Sequence, residues 1–158
     1  MKKILFIVLF LILFINACAK TQQEQQITQK PVQLVSSEDI SALTPEQVVA
    51  LYFQSWNDER YDIMYSLISD GFKQIEPTAK SFNDFKANME KFYDTFTGIE
   101  IVEVIKSYQN DKEAGVNYKI SDVGKNGRKT EFSSTYTLKK RANGWKLIHP
   151  YGKNIDTT

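Results

Sequence analysis

The hydrophobic period of this chain changes once, close to Gly98, from the three-to-four spacing of helices to the two-residue spacing of strands. That order, helices first and strands after, limits the folds open to it. Thr44-Pro45-Glu46-Gln47 opens the helical part with a hydroxyl N-cap, proline at the first helical position and glutamine at the third. This capping box satisfies N–H groups that a helix end otherwise leaves orphaned. Val48, Val49, Tyr52, Phe53 and Trp56 then share one stripe of a first helix. A second, shorter helix is expected over about Asp62 to Ser69, with Met64, Leu67 and Ile68 apolar and Asp70-Gly71 as its stop. Ser81 and Asp84 cap a third, in which Phe82, Phe85, Met89, Phe92 and Phe96 share a face until Gly98 ends it.

Past Gly98, Ile99 to Tyr108 is β-branched and extended, and Ala114, Val116, Tyr118 and Ile120 alternate with Glu113, Gly115, Asn117 and Lys119. Asn126-Gly127 marks a hairpin, because a type I′ turn needs positive φ at both central residues. Phe132, Ser134, Tyr136 and Leu138 form the next alternating face, Asn143-Gly144 turns again, and Trp145, Leu147 and His149 begin the last strand. Three helices before an antiparallel meander of about four strands make the class α+β.

The residues carry a resemblance as well. Thr44-Pro45-Glu46 through Phe53, then Trp56-Asn57-Asp58, Tyr61-Asp62 through Ser69 and Phe72-Lys73, resemble the opening of NTF2-like domains. Ser81-Phe82-Asn83-Asp84-Phe85 with Tyr93, and the ending Gly144-Trp145-Lys146-Leu147, are similar to the later parts of the same fold. The likeness is greatest to the NTF2-like N-terminal domain of MecA-type penicillin-binding proteins and spans about residues 44–151. It implies a cone, with three helices packed on a curved antiparallel sheet. It does not imply cross-linking chemistry, because Ser-x-x-Lys and Lys-Thr-Gly are missing; Lys129-Thr130 is followed by Glu131. The same superfold hosts enzymes and plain binding modules, so the fold alone assigns no reaction.

The amino terminus is a different object. Fourteen of the chain's apolar residues lie in its first 17 positions. Met1-Lys2-Lys3 and the unbroken run Ile4 to Ile15 have the lengths of a signal peptide's charged and apolar regions, short of the roughly 20 residues a membrane span needs. Ile15-Asn16-Ala17-Cys18 resembles the lipobox of bacterial lipoproteins, which implies cleavage before Cys18 and lipidation of its sulfur. Lipidation also gives a reason for the single cysteine of the chain, which has no intramolecular disulfide partner. The resemblance implies the outer membrane in a Gram-negative cell, given Ala19 after the cysteine, or the outer face of the cell membrane in a Gram-positive one. Residues 18–43, rich in Gln and Ser without an aromatic side chain, read as a flexible tether with a reach of roughly 25–30 Å. Residues 44–158 are then the folded domain, in which Val32, Leu34 and Val35 could still join as a short strand.

Chemistry is sparsely written. Enzymes of the resembled fold place an inward carboxylate or histidine opposite a tyrosine. The residues here that could line such a cavity are Tyr52, Glu103, Tyr118, Tyr136, Trp145 and His149, each of which has a plain reading as core aromatic, solvated acid or strand-end histidine. One histidine and one cysteine argue against a protein zinc site, no calcium loop is patterned, and no phosphate-cradling glycine motif occurs, so no cofactor is expected.

The net charge of +1 conceals a division. Residues 38–103 hold 13 acids and 5 bases, net −8, whereas 106–153 hold 11 bases and 4 acids, net +7. Lys129, Lys139, Lys140 and Arg141 are the candidate basic contact face, with the alternative that such lysines solubilise the sheet and guard its edges. Nucleic acid is not an expected partner, and homodimerisation stays open. The expectation is a non-catalytic, lipid-anchored cell-envelope module that binds a protein or envelope-polymer partner. The alternatives are a binder of a small apolar ligand in the cone and a cyclase- or isomerase-like enzyme.

Overall fold

Thr44 starts the first helix as its capping box requires: its N–H donates to Gln47 Oε1 at 2.9 Å and its Oγ1 accepts from the Gln47 N–H at 3.3 Å. The resulting helix, α1 (Pro45–Asn57), buries Val48, Val49, Leu51, Tyr52 and Phe53. A computed structural model describes residues 40–92, 96–152 and 156, all within the compact unit Val32–Thr158. The expectations placed on residues 1–39, Cys18 and most of the tether among them, and on Tyr93 lie outside those residues.

Helix α2 (Tyr61–Leu67) buries Tyr61, Ile63, Met64 and Leu67. Asp70-Gly71 does not end the helical path, as the sequence suggested, but begins α3 (Asp70–Ile75). The path breaks at Ile68, whose backbone is extended and bridges Leu147, and Ser69 then caps a new helix, its hydroxyl accepting the Phe72 N–H at 2.9 Å. Gly71 is needed there for a second reason: Asp156 packs so closely that a Cβ would lie 2.8 Å from its side chain. A 3-10 turn, Pro77–Ala79, follows, capped by Glu76. Helix α4 (Phe82–Phe92) is capped by Ser81, which accepts the Asp84 N–H at 3.1 Å, and buries Phe85 and Met89. Among the described residues the helical layer thus has four α-helices, because the path expected as one second helix is split in two at Ile68-Ser69.

The sheet is a meander of order β1-β2-β3-β4, antiparallel throughout, made of β1 (Phe96–Gln109), β2 (Glu113–Gly124), β3 (Lys129–Arg141) and β4 (Gly144–Leu147). Phe96 and Gly98, expected at the end of the third helix, belong to β1 and pair with Gly124 and Val123. The apolar residues of β2 fall on one face as the alternation requires: Ala114, Val116, Tyr118 and Ile120 are all buried. Strand β1 departs from alternation. A register shift between Ile101 and Glu103 inserts an extra residue, so the inward positions run Ile99, which is buried, then Ile101 and Val104, which are half-buried.

The helices cover the concave face, and the fully buried side chains between them and the sheet include Phe53, Met64, Leu67, Leu138 and Leu147. Each such side chain contributes about 1.5–3 kcal/mol relative to exposure. The short β4 is held on its outer side by Ile68, which bridges Leu147, and by the Ser69 N–H, which donates to the Leu147 carbonyl at 2.9 Å. Ile40 is buried beside the β3–β4 turn. Gly144, at φ 104°, permits this, since a Cβ there would meet the Ile40 carbonyl oxygen and the Ser41 Cα at 3.0 Å.

Candidate functional site

The interior of the cone is occupied by aromatic side chains from three elements. Phe53 and Tyr52 of α1 meet Tyr118 of β2 and Tyr136 of β3: Tyr118 and Tyr136 stack at 4.8 Å, Phe53 lies 5.0 Å from Tyr118, and Tyr52 meets Tyr136 edge-on at 6.1 Å. Successive inward positions of neighbouring strands carry these rings, which is why Tyr118 and Tyr136 fall against each other. Burial pushes the Tyr52 and Tyr136 hydroxyls well above the ordinary phenol value, with neighbouring tyrosines adding to the shift, and burial raises Tyr118 as well. Phenols held neutral in this way pack a core. Among the described residues no hydrogen bond joins a carboxylate or imidazole to Tyr52, Tyr118 or Tyr136, the contact that acid–base chemistry there would need.

A hollow of about 160 Å³ remains at the mouth of the cone. It is lined by Trp56 from the end of α1, Phe92 from the end of α4, Phe96, Gly98 and Ile99 from the start of β1, and Asp122 from β2. Trp56 and Phe92 pack edge-to-face at 5.6 Å. Asn57 fixes the wall: its amide donates to the Ile99 carbonyl at 2.6 Å while its Oδ1 accepts the Ile99 N–H at 2.7 Å. Asp122 continues the inward alternation of Ala114, Val116, Tyr118 and Ile120, so its carboxylate stands where an apolar residue would be expected. Among the described residues no hydrogen bond or ion pair engages that carboxylate. On its other side a shallow groove runs past Lys125 and Arg128 of the β2–β3 turn.

The remaining candidates from the sequence do not gather there. Glu103 is solvent-exposed on the strand opposite Lys119, because the β1 bulge turns it away from the cone. Trp145 is buried at the opposite end of the sheet, with Lys140 Nζ 5.2 Å above its ring. His149 is buried outside the cone, beyond the end of β4. The β3–β4 ladder runs on in the same register to Ile148, whose N–H donates to the Thr137 carbonyl at 3.0 Å, and past it His149 packs edge-on to Phe72 at 4.9 Å with Nε2 3.4 Å from Glu76 Oε2. The Glu76 carboxyl is held below its ordinary range, first by the Thr78 hydroxyl and further by His149.

The basic residues expected to form one contact face are separately engaged. Lys129 pairs with Glu100 at 2.6 Å. Lys139 donates to the Asp156 carbonyl and Arg141 pairs with the Asp156 carboxylate, so both are drawn onto the chain's own carboxyl-terminal end. Lys146, also basic by sequence, is buried and donates to the Ser66 carbonyl at 2.7 Å; burial lowers its pKa. Of the mouth residues, Trp56, Phe92 and Phe96 read in the sequence only as a helical stripe, and Asp122 was not singled out. The alternation of β2 extended by one step was the signal that could have found it.

Two Ser-x-Asn triplets do occur, Ser55-Trp56-Asn57 and Ser81-Phe82-Asn83, but Ser55 is buried in α1 and Ser81 caps α4. Among the described residues no three His, Cys, Asp or Glu side chains cluster to hold a metal.

The sequence model for the NTF2-like N-terminal transpeptidase domain matches residues 44–150. No curated protein sequence matches the chain. Among solved structures, a SEC-C-motif protein from Rhodopseudomonas palustris is similar at TM-score 0.53 and 11% identity, covering 72% of this chain and 81% of that one. A protein of unknown function with a cystatin-like fold from Nostoc punctiforme is similar at TM-score 0.50 and 13% identity, covering 74% and 91%. At such identities the likeness speaks to the fold alone.

Proposed function

Because the chain belongs to the family of NTF2-like N-terminal transpeptidase domains, and because aromatic rings fill its cone, we propose that it is a non-catalytic, lipid-anchored cell-envelope module that docks a partner. The filled interior is the observation that carries the reading. Tyr52, Phe53, Tyr118 and Tyr136 take the volume in which an enzyme of this fold would hold its substrate. The hollow left at the mouth, about 160 Å³, is smaller than the roughly 300–1,000 Å³ of pockets that enclose a whole small molecule. It is of a size to accept one side chain of a larger partner, as an anchor residue does at a protein interface. The lipobox-like Ile15-Asn16-Ala17-Cys18 supports the address, since lipid on that sulfur would hold the domain at a membrane surface.

Two measurements test the reading. Metabolic labelling with a fatty acid is expected to mark the wild-type chain and not Cys18→Ser, which should leave the membrane fraction. Cross-linking in intact cells is expected to recover an envelope component with the wild-type chain. Persistent membrane lipidation of Cys18→Ser would overturn the anchor, and absence of any component above background would overturn the docking role.

A further inference from the structure

The chemistry of the mouth narrows what can dock there. From the residues that line it, we infer that the hollow is a cage for a single basic side chain, the ammonium of lysine or the guanidinium of arginine, presented by a protein partner. The inference rests on the docking role proposed above and names the group that is docked.

The walls are three aromatic rings, Trp56, Phe92 and Phe96, together with Ile99 and the bare backbone of Gly98. Aromatic faces attract cations through the negative potential of their π-systems, and the attraction grows as water is excluded. Among the described residues that line it, the charged one is Asp122, which no described residue engages by hydrogen bond or ion pair. Asp122 is half-buried between the rings and the adjoining groove, so its carboxylate stands within reach of a cation that enters the hollow. The end of α1 adds to the negative potential, because Trp56 and Asn57 stand at the helix's carbonyl end, no basic residue occupies its last turn, and Asp58 and Glu59 follow.

Size agrees with charge. A cavity near 150 Å³ takes a benzene-sized guest, so about 160 Å³ suits an alkyl stem with a charged head and excludes a peptide segment. An apolar stem against the rings and a charged tip at Asp122 is how long basic side chains ordinarily divide themselves. Lys125 and Arg128, in the adjoining groove, disfavour a run of positive charge while leaving room for one.

The test follows the indole N–H signal of Trp56 in the nuclear magnetic resonance spectrum of the full chain in detergent, assigned by its loss in Trp56→Phe. The probes are n-butylammonium and n-propylguanidinium, with neutral 1-butanol and anionic butyrate as isosteres. The cations are expected to shift the signal saturably and to bind at least about tenfold more tightly than 1-butanol, with butyrate silent. Asp122→Asn, of the same shape, is expected to erase that preference, and Phe96→Leu to weaken both cations while keeping their order over 1-butanol. Equal binding of 1-butanol, or an unchanged cation preference in Asp122→Asn, would overturn the cage. Those outcomes are separable from the docking role, because cross-linked partner recovery with the wild-type chain stands or falls independently of them.

Discussion

Asn57 behaves as a strand partner for Ile99, 42 residues away, exchanging both backbone hydrogen bonds through its side-chain amide. The contact ties the end of α1 to the outer edge of β1 and sets the width of the mouth. Asn57→Ala removes a donor and an acceptor together, which is expected to cost about 1–3 kcal/mol. The melting temperature should fall by several degrees, and the Ile99 amide should lose protection in hydrogen exchange out of proportion to the rest of the sheet. An Ile99 amide that exchanges as slowly in the variant as in the wild type would contradict the clamp.

The buried phenols predict an alkaline limit to stability. Their pKa values lie above the value of about 10 that tyrosine has in the unfolded chain. Above pH 10 the unfolded state therefore loses protons that the folded state keeps, and stability falls as pH rises. Below pH 10 both states are protonated and the contribution is fully present. Urea midpoints measured from pH 9 to 11.5 should drop for the wild type and drop less steeply for Tyr52→Phe. The phenolate absorbance of the native protein should likewise lack Tyr52 and Tyr136, among eight tyrosines, until unfolding begins.

Asp156 gathers Lys139 and Arg141, and its carboxyl side chain is 2% exposed against 24% for Arg141. Asp156→Asn leaves a partly buried guanidinium without its counter-charge and should destabilise the domain by up to about 3 kcal/mol. A charge-reversed Lys139/Lys140/Arg141 variant should for the same reason lose stability before it loses any partner. Thermal unfolding of both variants, compared with Lys140 changed alone, checks this, since Lys140 is expected to cost under about 1 kcal/mol.

Gly144→Ala should be destabilising by about 1–3 kcal/mol, because it adds a side chain at positive φ and drives it into the backbone of Ile40 and Ser41. Gly127→Ala shares the positive φ but meets nothing within 4 Å, so it isolates the backbone term and should cost less. Equal losses in the two variants would show that the Ile40 contact contributes nothing.

The elements with strong local signals were legible in the sequence. The Thr44 capping box and the period-two face of β2 follow from chemistry within a few residues and are present. A hairpin turns at Asn126-Gly127 too, but not as the type I′ turn expected: only Gly127 has positive φ, 75°, and the loop is the four residues 125–128, closed by the Gly127 N–H donating to the Gly124 carbonyl. The misread places depend on distant contacts. Ser69 looked like the end of one helix because its role as a cap for the next is visible only in its bond to Phe72. Phe92 and Phe96 stand four apart, as in a helix, yet they serve one hollow from two different elements. The facing of Glu103 is open in the sequence rather than misread, and it turns on a single-residue bulge, which periodicity cannot register. Part of the candidate site was open to reading, since Asp122 extends a visible alternation, but the convergence of Trp56, Phe92 and Phe96 upon it is a product of tertiary packing.

The seat of Ile40 against Gly144 gives the domain two poles. Ile40 enters beside the turn where Arg141 pairs with Gly144, whereas Asp122 pairs with Thr130 at the far end of the same strands, roughly 30 Å away along the sheet. The short β4, which Ile68 and Ser69 brace on its outer edge, belongs to the first pole, and the lining of the hollow belongs to the second. A substitution at Gly144 therefore acts on the Ile40 seat and is expected to leave the rings around Asp122 in place.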